Sequence, residues 1–428
     1  MRIVYVAAGA GGMYCGACMR DTTLAGGLVE RGHDVEFLSL YTPVKADTPP
    51  PGTCRIFYGG INVYLQQHAG LFRRAPVLLD RLFDSPWLLD FVGSFAINTR
   101  PEDLGEMTVS VLRGRAGRQK KELEKLMDFL GRGPRPDVVN LTNSLLSAIA
   151  PAVKQAIDVP VVCNLQGEDA FVDRIGDPWR DEAVRLIREH ARSVDAFVAP
   201  GESYADKMAE WLSLDRSRIT VIRPGIALAP FEGTAEQPTD VFRIGYLSRI
   251  IPEKGIDLLC EAFRRLAREQ GDTSVLAVAA ELAASDQDFW NAQQKRLREA
   301  GLDDRVEFVA SPNLAGKVAF LKRCSVFSVP SRLPERRGVA CLEAQACGIP
   351  VVLPDHGVYR EIVSLTGGGI LVAPGDAAAL ADGLRTLRDD TEQARVLGEK
   401  AAAGIREHFS SDVVVENTLE LYREIRHA

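Results

Sequence analysis

Short apolar strands alternate with helical segments along most of this sequence, and this alternation constrains the fold more than any other feature. The chain begins with a strand over residues 2–8, a glycine-rich turn, a helix from about Asp21 to Arg31, and a second strand over 35–40. Nearly continuous apolar strands with helices between them are typical of parallel sheets that are covered on both faces. The sequence therefore predicts an α/β protein with doubly wound parallel sheets.

The same alternation resumes in two further blocks. Further strands are expected at residues 138–141, 161–165, 196–199, 219–222, 243–247, 274–279, 306–309, 326–330, 350–353 and 369–372. Between the first two blocks, residues 41–135 contain several prolines and an aromatic and basic stretch, which predict an insertion. Residues 223–240 are rich in Pro, Gly and Ala and predict a linker. We therefore expect a first domain over residues 1–225 and a second over 240–410.

Length and charge narrow the class of protein. The chain has 428 residues, which at roughly 100 to 200 residues per domain predicts two or three domains. Its 51 basic and 58 acidic residues give a net charge of −7, which makes nucleic acid an unexpected partner. The N-terminus lacks a secretory pattern, and no apolar stretch approaches the ~20 residues that span a bilayer. A cytoplasmic protein, at most peripheral to the inner membrane face, is expected.

The turn after the first strand carries glycines and two cysteines. Gly9, Gly11 and Gly12 lead into a helix N-terminus, a place suited to binding anions, although such a turn is also common without a ligand. Cys15 and Cys18 form a C-x-x-C, which leaves open loop cysteines, a redox-sensitive pair or half of a zinc site. No second C-x-x-C or paired histidines occur, and a zinc site needs four ligands. We therefore predict no metal.

Two polar segments stand out in the second domain. Arg249 and Lys254 follow a strand directly and precede a helix, where a guanidinium and an ammonium can clamp a diphosphate. A solvated loop with surface charges is the alternative.

The second segment is a strand-to-helix loop, Glu335-Arg336-Arg337-Gly338, followed by Glu343 on the helix. Loop N–H groups around Gly338 would face a ligand's negative charge, while Glu335 and Glu343 would accept hydrogen bonds from hydroxyls. Alternatively, Glu343 is an exposed helix residue and Glu335 is an acid favoured by the helix dipole. The first interpretation predicts a sugar-nucleotide site.

The run from Pro330 to Pro350 resembles the signature of retaining glycosyltransferases of family four, including their E-x7-E pair as Glu335 and Glu343. The resemblance covers nearly the whole chain and is strongest from residue 219 to 428. Other motifs similar to the family's are the R-x-x-x-x-K-G loop with Arg249 and Lys254, Gly357 with Glu361, and the turn over residues 369–376.

This resemblance implies the GT-B fold, in which two Rossmann-like domains face a cleft and a C-terminal helix, here about residues 411–428, returns to the first domain. It implies transfer of a hexose from a UDP- or GDP-sugar with retention of configuration, without metal or other cofactor. Arg249 and Lys254 would neutralise the departing diphosphate. Glu335 would hold the sugar hydroxyls, and Glu343 the ribose. Donor binding would extend to Arg336, Arg337 and Gly338, and to Gly11 and Gly12 in the first glycine loop.

The sequence departs from the family pattern on the acceptor side. Gln166 stands where these enzymes commonly place a histidine, and Glu168 and Asp169 follow it. These two acids would orient the acceptor hydroxyl, or else they are N-terminal acids of the next helix. In the second domain, Ala280-Glu281 replaces the customary G-x-G and Ala310 replaces a glycine. The resemblance therefore does not predict which nucleobase the donor carries.

Three other functions remain as alternatives: a sugar-nucleotide epimerase on the same fold, a catalytically silent nucleotide-sugar-binding regulator, and a dinucleotide oxidoreductase. The acceptor is a glycan, a lipid or a small metabolite. The stretch from Ile61 to Phe95 is similar in spacing to part of bacterial glycogen and starch synthases. This similarity suggests a glucan as one candidate acceptor. A basic cluster would suit an anionic membrane surface or a solvated face. Its members are Arg113, Arg115, Arg118, Lys120 and Lys121.

Overall fold

A computed structural model of the chain describes residues 1–9, 16–42, 44, 50–51, 55–68, 101–232 and 241–427. The chain divides into two compact units. The first unit comprises Met1–Ile222 together with Val414–Ala428, and the second comprises Arg223–Val413. Each unit has its own parallel sheet, with buried apolar side chains packed around it.

In the first unit, the described residues form a seven-stranded parallel sheet with the order β3-β2-β1-β4-β5-β6-β7. The strands are β1 (Arg2–Ala7), β2 (Asp34–Leu40), β3 (Arg55–Phe57), β4 (Val138–Leu141), β5 (Val161–Asn164), β6 (Ala196–Ala199) and β7 (Ile219–Val221). In β1, Ile3 and Tyr5 pack in one apolar cluster, while Val4 and Val6 pack in the other. Successive side chains of a strand point to opposite faces, so both faces of this sheet are covered.

Helices cover both faces of the first sheet. They are α1 (Gly16–Glu30), α2 (Gly60–His68), α3 (Gly105–Leu112), α4 (Lys120–Arg132), α5 (Ile149–Ala156), α6 (Glu168–Ile175), α7 (Trp179–His190) and α8 (Glu202–Leu212). The last helix of the chain, α16 (Ser411–His427), adds its apolar side to the same unit. Val415, Leu419 and Tyr422 pack in the cluster that contains Ile3 and Tyr5. The Tyr422 hydroxyl also donates a hydrogen bond to Oδ1 of Asn140 in β4 at 2.9 Å.

In the second unit, the described residues form a six-stranded parallel sheet with the order β10-β9-β8-β11-β12-β13. The strands are β8 (Arg243–Leu247), β9 (Val275–Ala280), β10 (Val306–Ala310), β11 (Val326–Phe327), β12 (Val351–Pro354) and β13 (Gly369–Val372). The helices are α9 (Ile256–Leu266), α10 (Gln287–Glu299), α11 (Leu314–Lys322), α12 (Val339–Ala346), α13 (Gly357–Thr366), α14 (Ala377–Asp389) and α15 (Thr391–His408).

The predicted fold class is confirmed, because both sheets are parallel and doubly wound. One local prediction was wrong. Helix α1 begins at Gly16 rather than near Asp21, and the Asp21 carboxylate accepts hydrogen bonds from Tyr5 and Thr142 instead of capping a helix. The described parts of the stretch 41–135, which is predicted to be an insertion, supply the edge strand β3 and helices that pack in the core.

Candidate functional site

The strand order of the second unit indicates where a ligand would bind. Counted from β8, the six strands follow the order 3-2-1-4-5-6, so the connections leave in opposite directions from β8 and β11. In open α/β sheets, ligands bind beyond the carboxyl ends of the strands at such a switch point. The loops that leave β8 and β11 contain Lys254 and Glu335, respectively, which the sequence singles out. The topology therefore brings the two predicted segments together.

Arg332 ties these two loops to one another. Its guanidinium donates to both carboxylate oxygens of Asp257, at 2.7 and 2.5 Å. Its backbone N–H donates to the carbonyl oxygen of Glu253 at 2.8 Å. A bidentate pair of this kind fixes direction as well as distance. The loop that contains Glu335 is thus held against the loop that contains Lys254.

Lys254 and Glu335 form an ion pair at the switch point. The Lys254 ammonium donates to Oε2 of Glu335, and the Arg336 backbone N–H donates to Oε1 at 3.1 Å. Burial raises the pKa of Glu335, but the charges of Lys254 and Arg337 outweigh this effect and hold that pKa below its ordinary value. Both side chains keep some exposure, 24% for Lys254 and 16% for Glu335. A ligand can therefore reach a fixed cation and a fixed anion.

The other predicted cations belong to the same two loops. Arg249 is exposed, and its carbonyl oxygen accepts a hydrogen bond from the Tyr246 hydroxyl at 3.0 Å. Arg336 and Arg337 are half-buried in the loop, and Gly338 caps α12 with a left-handed φ of 63°. The loop therefore ends on a helix whose first N–H groups lie beyond β11, as anion binding requires.

Glu343 is buried on α12, so the alternative that it is an exposed helix residue is wrong. Its Oε1 accepts a hydrogen bond from the ammonium of Lys317, which lies on α11. Lys317 is not among the residues predicted from the sequence. No local pattern distinguishes it from a surface lysine, because its partner lies on a different helix.

The N-terminus of α13 packs against the backbone of Glu335. The Val358 N–H donates to the Glu335 carbonyl oxygen at 2.8 Å. Gly357, with a φ of 56°, permits this contact, since an added Cβ would lie 2.5 Å from that oxygen and 2.7 Å from the Glu335 nitrogen. Glycine is the residue that meets both requirements here.

If Glu335 holds the sugar donor, as the resemblance implies, Gly357→Ala should lower kcat/KM about 100-fold. The Glu335 backbone must shift, and a displacement of about 1 Å in a catalytic site has this order of effect. Steady-state kinetics and the melting temperature measure it. Gly271→Ala is the matched control, since Gly271 has a φ of 82° but no atom within 4 Å of an added Cβ. Equal losses in both variants would assign the effect to backbone strain and contradict the displacement of Glu335.

In the first unit, Glu168 and Asp169 are the first two residues of α6, as the helix-acid alternative predicts. The Glu168 carboxylate accepts hydrogen bonds from the backbone N–H groups of Ser144 and Gln166, at 3.1 and 2.7 Å. The Asp169 carboxylate accepts from Tyr204 at 2.7 Å and from Lys207 at 2.6 Å. Both acids are buried in contacts with their own unit. This position favours a structural role over contact with an acceptor.

Gln166 belongs to a buried polar network at the switch point of the first sheet, which lies between β1 and β4. Its Nε2 donates to the Thr142 carbonyl at 2.8 Å and to Oδ1 of Asp21 at 3.3 Å. Burial raises the pKa of Asp21, against the charge of Arg20 and the hydrogen bonds from Thr142 and Tyr5. Among the described residues, the buried Oε1 of Gln166 has no hydrogen-bond partner. Asp21 is thus a polar site residue that the sequence analysis treated as a helix start.

Several predictions concern residues that are not among the described ones. Gly11, Gly12 and Cys15 are outside the described residues, whereas Cys18 is buried in α1. In the region from Ile61 to Phe95, residues 69–95 are also outside the described residues.

The basic cluster is balanced by acids. Arg115 pairs with Glu124 at 3.1 Å, and Arg118 pairs with Glu106 at 2.7 Å. These pairs favour a solvated face over a membrane-binding one.

The described part of the chain contains neither a cluster of metal-binding side chains nor a membrane-spanning helix. In that part, no three His, Cys, Asp or Glu side chains are grouped so as to hold a metal ion. Nor does any helix there combine the length and apolarity needed to cross a membrane.

Two doubly wound parallel sheets, with a charged pair at the switch point of the second, are typical of proteins with the GT-B fold. Residues 20–225 match the family model described as Glycosyl transferase 4-like domain, and residues 233–403 match Glycosyl transferases group 1. The chain is 30% identical over 299 residues to a glycogen synthase of Mycobacterium tuberculosis. The alignment covers 68% of this chain and 69% of that protein. The protein therefore belongs to the family 4-like glycosyltransferases and is an enzyme of that class.

Solved structures agree on the fold. Sucrose-phosphate synthase from Thermosynechococcus elongatus superposes with a TM-score of 0.71 over 99% of this chain and 98% of its own, at 18% identity. Anabaena HepE in complex with UDP superposes with a TM-score of 0.67 over 99% of this chain and 100% of its own, at 17% identity. The predicted family and fold are both confirmed.

Proposed function

We propose that this glycosyltransferase transfers a hexose from a UDP-hexose to a hydroxyl group with retention of anomeric configuration. The observation that supports this most is the Lys254–Glu335 ion pair at the switch point of the second sheet. A cation can stabilise a departing diphosphate, and a neighbouring carboxylate can accept hydrogen bonds from sugar hydroxyls. UDP is proposed ahead of GDP because the similar HepE structure contains UDP.

The reaction would begin with loss of the bond between the anomeric carbon and the β-phosphate oxygen. The electron pair of that bond remains on the diphosphate, where Lys254 and Arg249 neutralise the growing negative charge. The acceptor oxygen then bonds to the anomeric carbon on the face that the leaving group vacates. Its proton passes to the departing phosphate oxygen, which serves as base. Attack on that same face retains the configuration and needs no protein nucleophile.

Glu335 would hold the sugar while this happens. Its carboxylate is kept ionised by Lys254 and is fixed by the Arg336 N–H, so it is ready to accept hydrogen bonds without reorganising. On the acceptor side, Gln166 would supply a hydrogen-bonding group in place of the family's histidine.

The donor is tested by thermal shift with UDP, GDP, ADP and TDP and their hexose conjugates. At about 100 times Kd, a ligand stabilises the native state by about 2.7 kcal/mol, which raises the melting temperature of a domain of this size by about 5 to 10 °C. We expect this rise with UDP and UDP-hexose. A selective rise with GDP instead would identify GDP as the nucleotide of the donor. No response to any nucleotide would contradict the proposal.

The acceptor and the stereochemistry are tested next. With the donor known, an acceptor screen begins with an α-glucan, because a relative of this chain is named glycogen synthase. Proton NMR of the product reports the anomeric configuration, and we expect the configuration of the donor to be kept. An inverted product would contradict the retaining mechanism. Conversion of the donor sugar in the absence of acceptor would identify an epimerase.

A further inference from the structure

Lys317 occupies an unfavourable position for a cation. It lies in the first turn of α11, which Asn313 caps by accepting a hydrogen bond from the Gly316 N–H at 2.9 Å. The side chain of Lys317 is only 12% exposed. The helix dipole places partial positive charge at this end, and removing an ammonium from water costs several kcal/mol unless it is paired. A lysine at this position therefore depends on its partner.

That partner is Glu343, whose side chain is 6% exposed. Its Oε1 accepts a hydrogen bond from the Lys317 ammonium at 2.5 Å. The pair joins α11, which follows β10, to α12, which follows β11. It therefore lies between helices that start near the carboxyl edge of the second sheet, the edge at which the donor is proposed to bind.

Stability alone does not account for this pair. A buried ion pair is often no more stabilising than apolar side chains of the same volume, because desolvation offsets the attraction between the charges. What the pair does achieve is to keep a carboxylate ionised and in one place in a low-dielectric environment. Without a cation beside it, a buried carboxyl group tends to take up a proton, which turns one acceptor oxygen into a donor.

We propose that Lys317 is a positioning residue for the donor nucleotide. It holds Glu343 ionised so that this carboxylate accepts hydrogen bonds from the 2′- and 3′-hydroxyls of the ribose. This inference rests on the proposed function, in which Glu343 contacts the ribose. A carboxylate has about four acceptor positions, so one carboxylate can bond an ammonium and two vicinal hydroxyls together. Lys317 thereby determines how strongly the enzyme distinguishes ribose from deoxyribose.

The test is calorimetric titration with UDP and 2′-deoxy-UDP, which needs no acceptor. We expect the unsubstituted protein to bind UDP about tenfold more tightly than 2′-deoxy-UDP, because a hydrogen bond to a charged group has this order of effect. In Lys317→Met, affinity for UDP should fall about tenfold, while affinity for 2′-deoxy-UDP stays within about twofold, so the preference disappears. A general loss of structure would weaken both ligands alike.

Two further variants complete the design. Lys322→Met is the matched control, because Lys322 is on the same helix but its ammonium donates to the Glu232 carbonyl oxygen at the surface, at 2.6 Å. It should keep the tenfold preference. Lys317→Gln serves if Lys317→Met does not fold, since the amide can still donate to Glu343 without carrying a charge. Its preference for UDP should fall below about threefold.

The outcomes separate this inference from the proposed function. A tenfold preference that survives in a folded Lys317→Met or Lys317→Gln protein would overturn the role of Lys317. Equal binding of UDP and 2′-deoxy-UDP by the unsubstituted protein would overturn the ribose contact while leaving the donor class intact. If the unsubstituted protein bound no nucleotide diphosphate, both this inference and the proposed function would fall.

Discussion

Lys254→Met is expected to lower kcat about 1000-fold while the protein stays folded. In the proposed reaction, the Lys254 ammonium faces the charge that develops on the leaving diphosphate. Removing one preorganised group of this kind typically costs 100-fold to 1000-fold in kcat. The measurement is turnover at saturating donor, together with the melting temperature of the variant. Lys295→Met is the control, because Lys295 is three-quarters exposed on α10 and lies 3.9 Å from Glu299.

The same variant should change the pH dependence of the residual activity. Burial raises the pKa of Glu335, whereas the charges of Lys254 and Arg337 lower it. Removing Lys254 takes away the larger of these two charge effects, so the pKa of Glu335 rises. The proposed active form has Glu335 ionised, and activity should therefore begin to fall at a higher pH as the solution is acidified. Full turnover in a folded Lys254→Met protein would show that this pair is not the catalytic site.

Removal of residues 414–428 is expected to unfold the first unit. This segment contributes five buried apolar side chains to the cluster around β1, and each adds about 2 kcal/mol. The loss, on the order of 10 kcal/mol, is as large as the whole stability of a typical domain. The five are Val414, Val415, Leu419, Leu421 and Tyr422.

Circular dichroism, thermal melting and limited proteolysis report this effect. The truncated protein should lose a melting transition and be cleaved rapidly within residues 1–222, while residues 223–413 resist cleavage. Arg423→Ala is the control on the same helix, since Arg423 is exposed and pairs only with Glu416 among the described residues, at 3.3 Å. A soluble truncated protein with both transitions intact would contradict the importance of α16 for the first unit.

The sequence predicts the fold well because apolar strands are a local signal. Each strand of the second sheet was located to within a few residues, although the predicted strand 326–330 is only Val326–Phe327 in the structure. The three-residue strand β3 was missed, since Arg55–Phe57 is too short for any periodicity to be seen. The helix boundaries were predicted less accurately, because tertiary contacts also decide what a capping residue type does. Asp21 has the residue type of a helix cap, but tertiary contacts use its carboxylate instead.

The site was predictable only where its residues lie in recognisable motifs. Lys254 and Glu335 were predicted because each lies in a loop that follows a strand, and in the structure their side chains form an ion pair. Lys317 could not be found, because the feature that distinguishes it is a partner on another helix. For Glu168 and Asp169, contact with an acceptor stays a prediction, which their position after a strand suggested. The fold adds what the sequence could not show, namely that both carboxylates are buried and accept hydrogen bonds within the first unit.

The division of the chain also has a consequence for its synthesis on the ribosome. The first unit consists of Met1–Ile222 and Val414–Ala428, so its polypeptide is interrupted by the entire second unit. At about 5 to 20 residues per second, translating the intervening segment takes on the order of 10 to 40 s. During this time the apolar surface around Ile3, Tyr5 and Leu28 is not yet covered by α16. The nascent chain should therefore depend on chaperones until residues 414–428 have been synthesised, even though its second unit can fold earlier.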